Sequence, residues 1–217
     1  MHFESKTFII LLLVVGFILF AYKVGDRDLW APDEDEYAQI SREMIRTNNW
    51  VFPTVNGEPW TIKPVLYNWL VSAISLPWGD VDEFRARIFS SLAALGTILV
   101  TFQLGKAAFT PLAGFLGALV LATNLLFLQN ARWAQTYMLS TFFTSLAIYL
   151  FYRGYQTENK RTVSYLLMYA AVGLGVLTMG PVNLAVPGLV IFFYLVAMKD
   201  LKHILHMRVV LGILIFS

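Results

Sequence analysis

The sequence predicts an all-α, polytopic transmembrane helical bundle with about six spans and a truncated seventh. One large extracytoplasmic loop carries amphipathic interfacial helices. Three observations predict this class. Of 217 residues, 58% are hydrophobic and only 14% charged, whereas soluble domains run near ~25% charged. Apolar runs close to the roughly 20 residues that cross a bilayer recur along the chain. Eleven of the 14 acidic residues crowd into Val24–Glu83. The same composition excludes a disordered chain. There is no cysteine, which excludes disulfide scaffolds, thiolate metal sites and cysteine nucleophiles.

The first apolar run, Phe8–Tyr22, follows Glu4 and Lys6. No small-residue cleavage site comes after it, since Phe20-Ala21-Tyr22 leads into Lys23, so it reads as a retained span near 8–23 and not as a signal peptide. Spans near 86–107, 111–129 and 133–152 follow the loop. Tyr165–Met198 is too long for one span, and Gly180-Pro181-Val182-Asn183 in its middle is a turn signal. It divides into spans near 165–180 and 182–198. Val209–Ser217 is too short to cross as a helix, so 207–217 reads as a partial seventh span with a cut C-terminus.

Alternating sides from a cytoplasmic N-terminus puts Lys6, Lys106, Arg153, Lys160, Arg161, Lys199, Lys202 and Arg208 inside, opposed only by Glu4, Glu158 and Asp200. The short loops 153–164 and 199–208 are basic and 180–183 is uncharged, as the positive-inside rule expects. Residues 24–83 then form the extracytoplasmic loop of a multi-pass protein. No nucleic-acid-type basic patch is present, so nucleic acid is not an expected partner.

A loop of this length implies a purpose. From Tyr37 the apolar positions 37, 40, 44 and 45 have helical spacing, with carboxylates in the first turn and Arg42 and Arg46 in the last, as the helix macrodipole favours. The expectation is an amphipathic helix on the membrane surface. A turn-rich link, Asn48–Glu58, leads to Lys63-Pro64 and a second short helix, Val65–Leu76, with Tyr67, Trp69 and Trp78 as headgroup anchors. Asp33 sits at a helix N-cap position with Glu36 three residues on, a capping-box arrangement. Capping does not account for the run Asp33-Glu34-Asp35-Glu36. Crowded carboxylates raise one another's pKa, which suits a general base, and a divalent cation at the acidic loop is the other relief. The loop has no histidine. Lys63 suits either snorkelling to the interface or a lipid phosphate. Arg132, at an outside helix end, reads as an anchor or a ligand contact. Arg85 and Arg87 read as interfacial anchors of the second span.

Three stretches of this loop resemble a known family. They are Pro32-Asp33-Glu34-x-x-Tyr37-Ala38-x-Ile40-x-Arg42-Glu43-Met44, Asn49-Trp50-Val51-x-Pro53-x-x-Asn56-Gly57-Glu58-Pro59, and Lys63-Pro64 with Trp69-Leu70. They resemble the first extracytoplasmic loop of GT-C glycosyltransferases, in the branch of protein O-mannosyltransferases and lipid A aminoarabinose transferases. Phe84-Arg85-Ala86-Arg87 and Gly180-Pro181-Val182 extend the likeness. The whole chain, 1–217, then reads as the N-terminal module of such an enzyme.

The resemblance implies an inverting transferase in the plasma (inner) membrane. A polyprenyl-phosphate-linked sugar is the donor and a lipid, glycan or protein the extracytoplasmic acceptor. It places the catalytic base on Asp33 and the lipid-phosphate contact on Lys63, with Glu34, Tyr37 and Arg132 as further substrate-binding candidates. No metal ligand set and no certain cofactor follows. Three positions depart from the pattern: Ile62 where many relatives have Glu, Tyr137 where many have Asp, and Met179 where Lys is usual. A second class, a non-catalytic truncated paralogue or lipid-binding membrane scaffold, fits those departures.

Overall fold

The computed structural model describes residues 5–30, 33–157 and 161–207. The partial seventh span therefore lies, from 208 on, outside the described residues. Helix α1 (Ser5–Gly16) passes into a π-helical turn, Phe17–Ala21. The loop contains α2 (Glu34–Thr47), a hairpin of β1 (Thr54–Val55) with β2 (Glu58–Pro59), and α3 (Leu66–Ser75). Then follow α4 (Glu83–Ala108), α5 (Pro111–Thr123), α6 (Leu125–Ala131), α7 (Thr136–Gln156), α8 (Arg161–Met179), α9 (Val182–Ala197) and the short α10 (His203–His206).

By length and composition, α4 and α8 can each cross a membrane, and α5 with α6 can form a third, broken span. Ser5–Ala21 and Val182–Ala197 are shorter apolar helices. The 21 residues of α7 are diluted by Thr, Ser and Tyr and fall outside that group. The expected unbroken span 111–129 is corrected: α5 and α6 meet at a 71° bend. The cause is Asn124, whose extended backbone ends α5 and whose side chain accepts the Phe127 N–H at 3.1 Å, capping a new helix.

Helix α4 is the central mast, packed against α1, α3, α5 and α7. A Cβ on Gly105 would lie 2.6 Å from the Gly114 Cα, so α4 and α5 approach backbone to backbone, as small residues permit between membrane helices. Beside this contact Phe8 of α1 stacks on Phe115 at 4.7 Å. A second cluster joins α7, α8 and α9 through Phe151, Tyr165, Ile191 and Leu195.

Both loop helices form where the apolar spacing predicts, but the partner differs. Tyr37, Ala38, Ile40 and Met44 of α2 are at most 1% exposed, so its apolar face is covered by protein and not by lipid. Asn68 and Ser72 of α3 donate to the Tyr37 and Ser41 carbonyls, which locks the two helices side by side. Glu43 fixes the hairpin, accepting from the Thr54 hydroxyl and from the Asn56 and Gly57 N–H groups. Burial pushes the Glu43 carboxyl up, but these bonds and one from Gln39 outweigh it and hold the group below its ordinary range. The α8–α9 turn at Gly180 (φ +74°) comes against the same region: a Cβ there would sit 4.0 Å from Pro64 Cγ. The α8–α9 turn thus lies at the same end of the bundle as Pro64.

Candidate active site

Asp33 immediately precedes α2 in the left-handed region, with φ +74° and ψ −11°. For a residue other than glycine this costs about 1–2 kcal/mol, and such strain concentrates at functional positions. Its carbonyl accepts the Tyr37 N–H at 3.0 Å, but its carboxylate makes no capping bond. The capping box does not form either, because Glu36 accepts from Trp60 Nε1 at 2.9 Å. Instead the Asp33 carboxylate faces Lys63, Oδ2 to Nζ, at 3.8 Å. Both side chains are partly exposed, at 39% and 22%, so the pair itself contributes no more than ~1 kcal/mol.

Lys63 stands between two aromatic faces, 5.3 Å from the Tyr37 ring centre and 5.0 Å from that of Tyr137. Both are within cation–π range. The Tyr137 ring offers its face to the ammonium, an attraction that helps hold the charge in place. Burial draws the Lys63 pKa down, but interactions with Tyr37, Tyr137 and Asp33 outweigh that and hold it above its ordinary value. The side chain is a cation at neutral pH. Tyr37 is 1% exposed, and its hydroxyl lies beside the Lys63 ammonium and helps hold it protonated, without meeting full hydrogen-bond geometry there.

The structure separates the four consecutive carboxylates. Asp33 turns to Lys63, Glu36 to Trp60, and Asp35 to solvent. Glu34 points into the protein and is completely buried. Its Oε1 accepts from Arg87 Nε at 2.8 Å and the Ala134 N–H at 2.7 Å, and its Oε2 from Arg87 Nη2 at 2.9 Å and Arg27 Nη2 at 2.9 Å. The expected crowding is absent, and among the described residues no group of three or more His, Asp and Glu could hold a metal ion. Glu34, expected near substrate, is engaged by the scaffold on both oxygens.

Arg87, expected as an interfacial anchor, is buried and holds the loop to α4. Besides the fork to Glu34 it donates to the Val24, Arg27 and Asp28 carbonyls. Tyr67 Oη donates to the Ala86 carbonyl one residue away, at 2.7 Å. The Glu34–Arg87 pair ties the start of α2 to α4, and through Ala134 to the start of α7. It thereby fixes Asp33 and Tyr137 relative to each other. Arg85 lies over the Trp78 ring at 4.1 Å and beside Asp82 at 3.2 Å. Arg132 does not join Lys63. Its guanidinium donates to the Leu19, Tyr22 and Lys23 carbonyls at the end of the first helix. Ile62 is exposed.

The family model described as dolichyl-phosphate-mannose-protein mannosyltransferase matches residues 62–217, well over half of the chain. The chain belongs to this family. The mannosyltransferase-family match begins one residue before Lys63, and similarity to individual relatives extends across Asp33 as well. An uncharacterised protein of Aquifex aeolicus (strain VF5) is 34% identical over 92% of this chain and 40% of its own length. An undecaprenyl phosphate-alpha-4-amino-4-deoxy-L-arabinose arabinosyl transferase of Aeromonas salmonicida (strain A449) is 32% identical over 89% of this chain and 36% of its own. The crystal structure of ArnT from Cupriavidus metallidurans bound to undecaprenyl phosphate superposes with a TM-score of 0.86 at 25% identity, over 97% of this chain and 39% of that one. An oligosaccharyltransferase of Archaeoglobus fulgidus, 13% identical with a TM-score of 0.66 over 82% of this chain and 24% of that one, shares the fold. These likenesses set the chain in the GT-C glycosyltransferase superfamily. The chain spans 36–40% of the length of the first three relatives.

Proposed function

We propose that this chain is the N-terminal module of a membrane glycosyltransferase that takes a sugar from a polyprenyl-phosphate donor, with inversion, on the extracytoplasmic side of the inner membrane. The apolar helices of the bundle carry the loop. The observation that carries this reading is the Asp33–Lys63 pair, a 3.8 Å ion pair flanked by Tyr37 and Tyr137 at the end of the bundle. It stands in a chain similar to an ArnT that binds undecaprenyl phosphate.

The chemistry follows from what each group can do. A donor phosphate is a stronger partner for Lys63 than a partly exposed carboxylate 3.8 Å away, because two or more of its oxygens can face the ammonium. When the phosphate arrives it takes Lys63, and the Asp33 carboxylate is released toward the acceptor. Asp33 accepts the proton of the acceptor hydroxyl, or orients it, as the oxygen attacks the anomeric carbon. The bond from that carbon to the phosphate oxygen breaks on the opposite face. The electron pair leaves with the polyprenyl phosphate, whose growing charge Lys63 stabilises. The Tyr37 hydroxyl is the spare donor for the same oxygens. Glu34 and Arg87 position this set without touching substrate.

The reading is tested by donor binding. Lys63→Ala is expected to weaken binding of undecaprenyl phosphate by about tenfold or more, the loss of one charge-assisted contact, with helix content unchanged. Unaltered affinity in a folded Lys63→Ala protein contradicts the assignment.

A further inference from the structure

A second basic site lies on the same end of the molecule, and neither Asp33 nor Lys63 lines it. A pocket of about 400 Å³ is bounded by Lys23, Val24, Arg27, Trp30, Gln129, Arg132 and Trp133. That volume fits a small polar headgroup. Three cations line it. Lys23 is opposed by Asp26 at 3.5 Å and Arg27 by Glu34 at 2.9 Å, but Glu34 is already shared with Arg87. Arg132 has no carboxylate within ion-pair distance among the described residues and donates only to backbone carbonyls. Burial, then the like charges of Arg27 and Arg87, draw its pKa down. With Arg87 behind the wall and the exposed Asp28 beside Arg27, four cations stand against three carboxylates, a local excess of one positive charge. Such a pocket is built for an anion.

The surroundings say which kind. Trp30 is 84% exposed and, with Trp133, offers aromatic surface beside the cations, the composition of a membrane interface. The first helix runs to the pocket with Val14, Phe17 and Ile18 at 52%, 57% and 56% exposure. Their i, i+3, i+4 spacing puts them on one face. Leu125 and Leu126 of α6 are also exposed, at 79% and 67%. An apolar track thus ends in a basic, tryptophan-lined cup, which matches a phosphate headgroup with acyl chains beneath it.

We propose that this pocket binds the phosphate headgroup of an anionic membrane phospholipid, at a position separate from the donor phosphate on Lys63. The proposal is independent of the transferase reading, because the two sites share no lining residue. Bound there, the lipid neutralises the excess charge behind which Glu34 and Arg87 hold the loop.

The test is native mass spectrometry of the detergent-solubilised protein exchanged into mixed micelles of phosphatidylglycerol or of phosphatidylcholine. Phosphatidylglycerol is expected to be retained about tenfold or more over phosphatidylcholine, since each basic side chain contributes to anionic-lipid attraction. Lys23→Gln should lower that preference several-fold, and Lys23→Gln with Arg132→Gln should abolish it. Lys63→Ala should keep it while weakening retention of the polyprenyl phosphate. Lys23 is exposed, so the single variant reads out even where the double variant does not fold. Equal retention of the two lipids overturns the proposal, as does an undiminished preference in the folded Lys23→Gln protein. Displacement of phosphatidylglycerol by inorganic phosphate or glycerol 3-phosphate at matching concentration also overturns it, marking a site for soluble phosphate.

Discussion

Arg87→Met removes the cation that closes the buried hub while keeping most of the side-chain volume. Glu34 stays behind, fully buried, with Arg27 as its remaining cation. Arg27 is 48% exposed, so its attraction is screened and replaces little of what is lost. Breaking a buried ion pair by deleting one partner costs about 3–5 kcal/mol. The Val24, Arg27 and Asp28 carbonyls lose their donor as well, which places the expected cost toward the upper end of that range. At this chain length each kcal/mol corresponds to roughly 2–4 °C, so the Tm should fall by about 8–20 °C. The assay is thermal unfolding in detergent followed by tryptophan fluorescence, with Arg85→Met as the control on a surface pair, expected to cost under ~1 kcal/mol. Glu34→Leu combined with Arg87→Met should recover part of the loss, because no charge is then stranded. An Arg87→Met shift no larger than that of Arg85→Met refutes the hub. So does a double variant as unstable as the two singles summed.

Two further outcomes follow from the loop. Tyr37→Phe deletes a buried hydroxyl that lies beside the Lys63 ammonium without a full hydrogen bond, so stability should change by no more than about 1 kcal/mol. Sugar transfer by the intact protein should fall, and a Tyr37→Phe enzyme with full kcat/KM shows that the hydroxyl meets no substrate. The Glu43 carboxyl is held below its ordinary range, so its stabilisation is present above the unfolded value of about 4.3 and is lost as pH falls below it. Amide exchange of the 54–59 hairpin, corrected for intrinsic rates, should rise on acidification through that range. A hairpin equally protected on both sides of it contradicts the anchoring role.

Hydropathy and the placement of charge made much of the architecture readable, because spans and loops differ in composition over whole segments. The helical spacing of Tyr37, Ile40 and Met44 likewise marked α2. What that pattern could not reveal was the partner, since an apolar stripe looks the same against lipid and against α3. The bend at Asn124 was hidden for a different reason: one Asn in an apolar run reads as a tolerated polar residue until its backbone is seen to leave the helix. Glu34 and Arg87 lie 53 residues apart, beyond any local periodicity. The one available signal was that Arg85 and Arg87 stand two apart and so face different sides of α4. Asp33 and Lys63 were singled out from the family pattern and come together in the structure. That Tyr137 would cover Lys63 could not be read from the sequence, because the two lie 74 residues apart.

Sugar transfer from undecaprenyl-phosphate-linked donor by the intact protein, with Asp33→Asn compared against the wild type, tests the central claim most directly. The substitution keeps the size and hydrogen-bonding reach of the side chain and removes only its capacity to accept a proton. The account predicts a loss of about 10²–10⁴-fold in turnover, the range of a general base, with membrane insertion and donor binding retained. Wild-type turnover in Asp33→Asn contradicts it and leaves the strained residue before α2 a purely structural one.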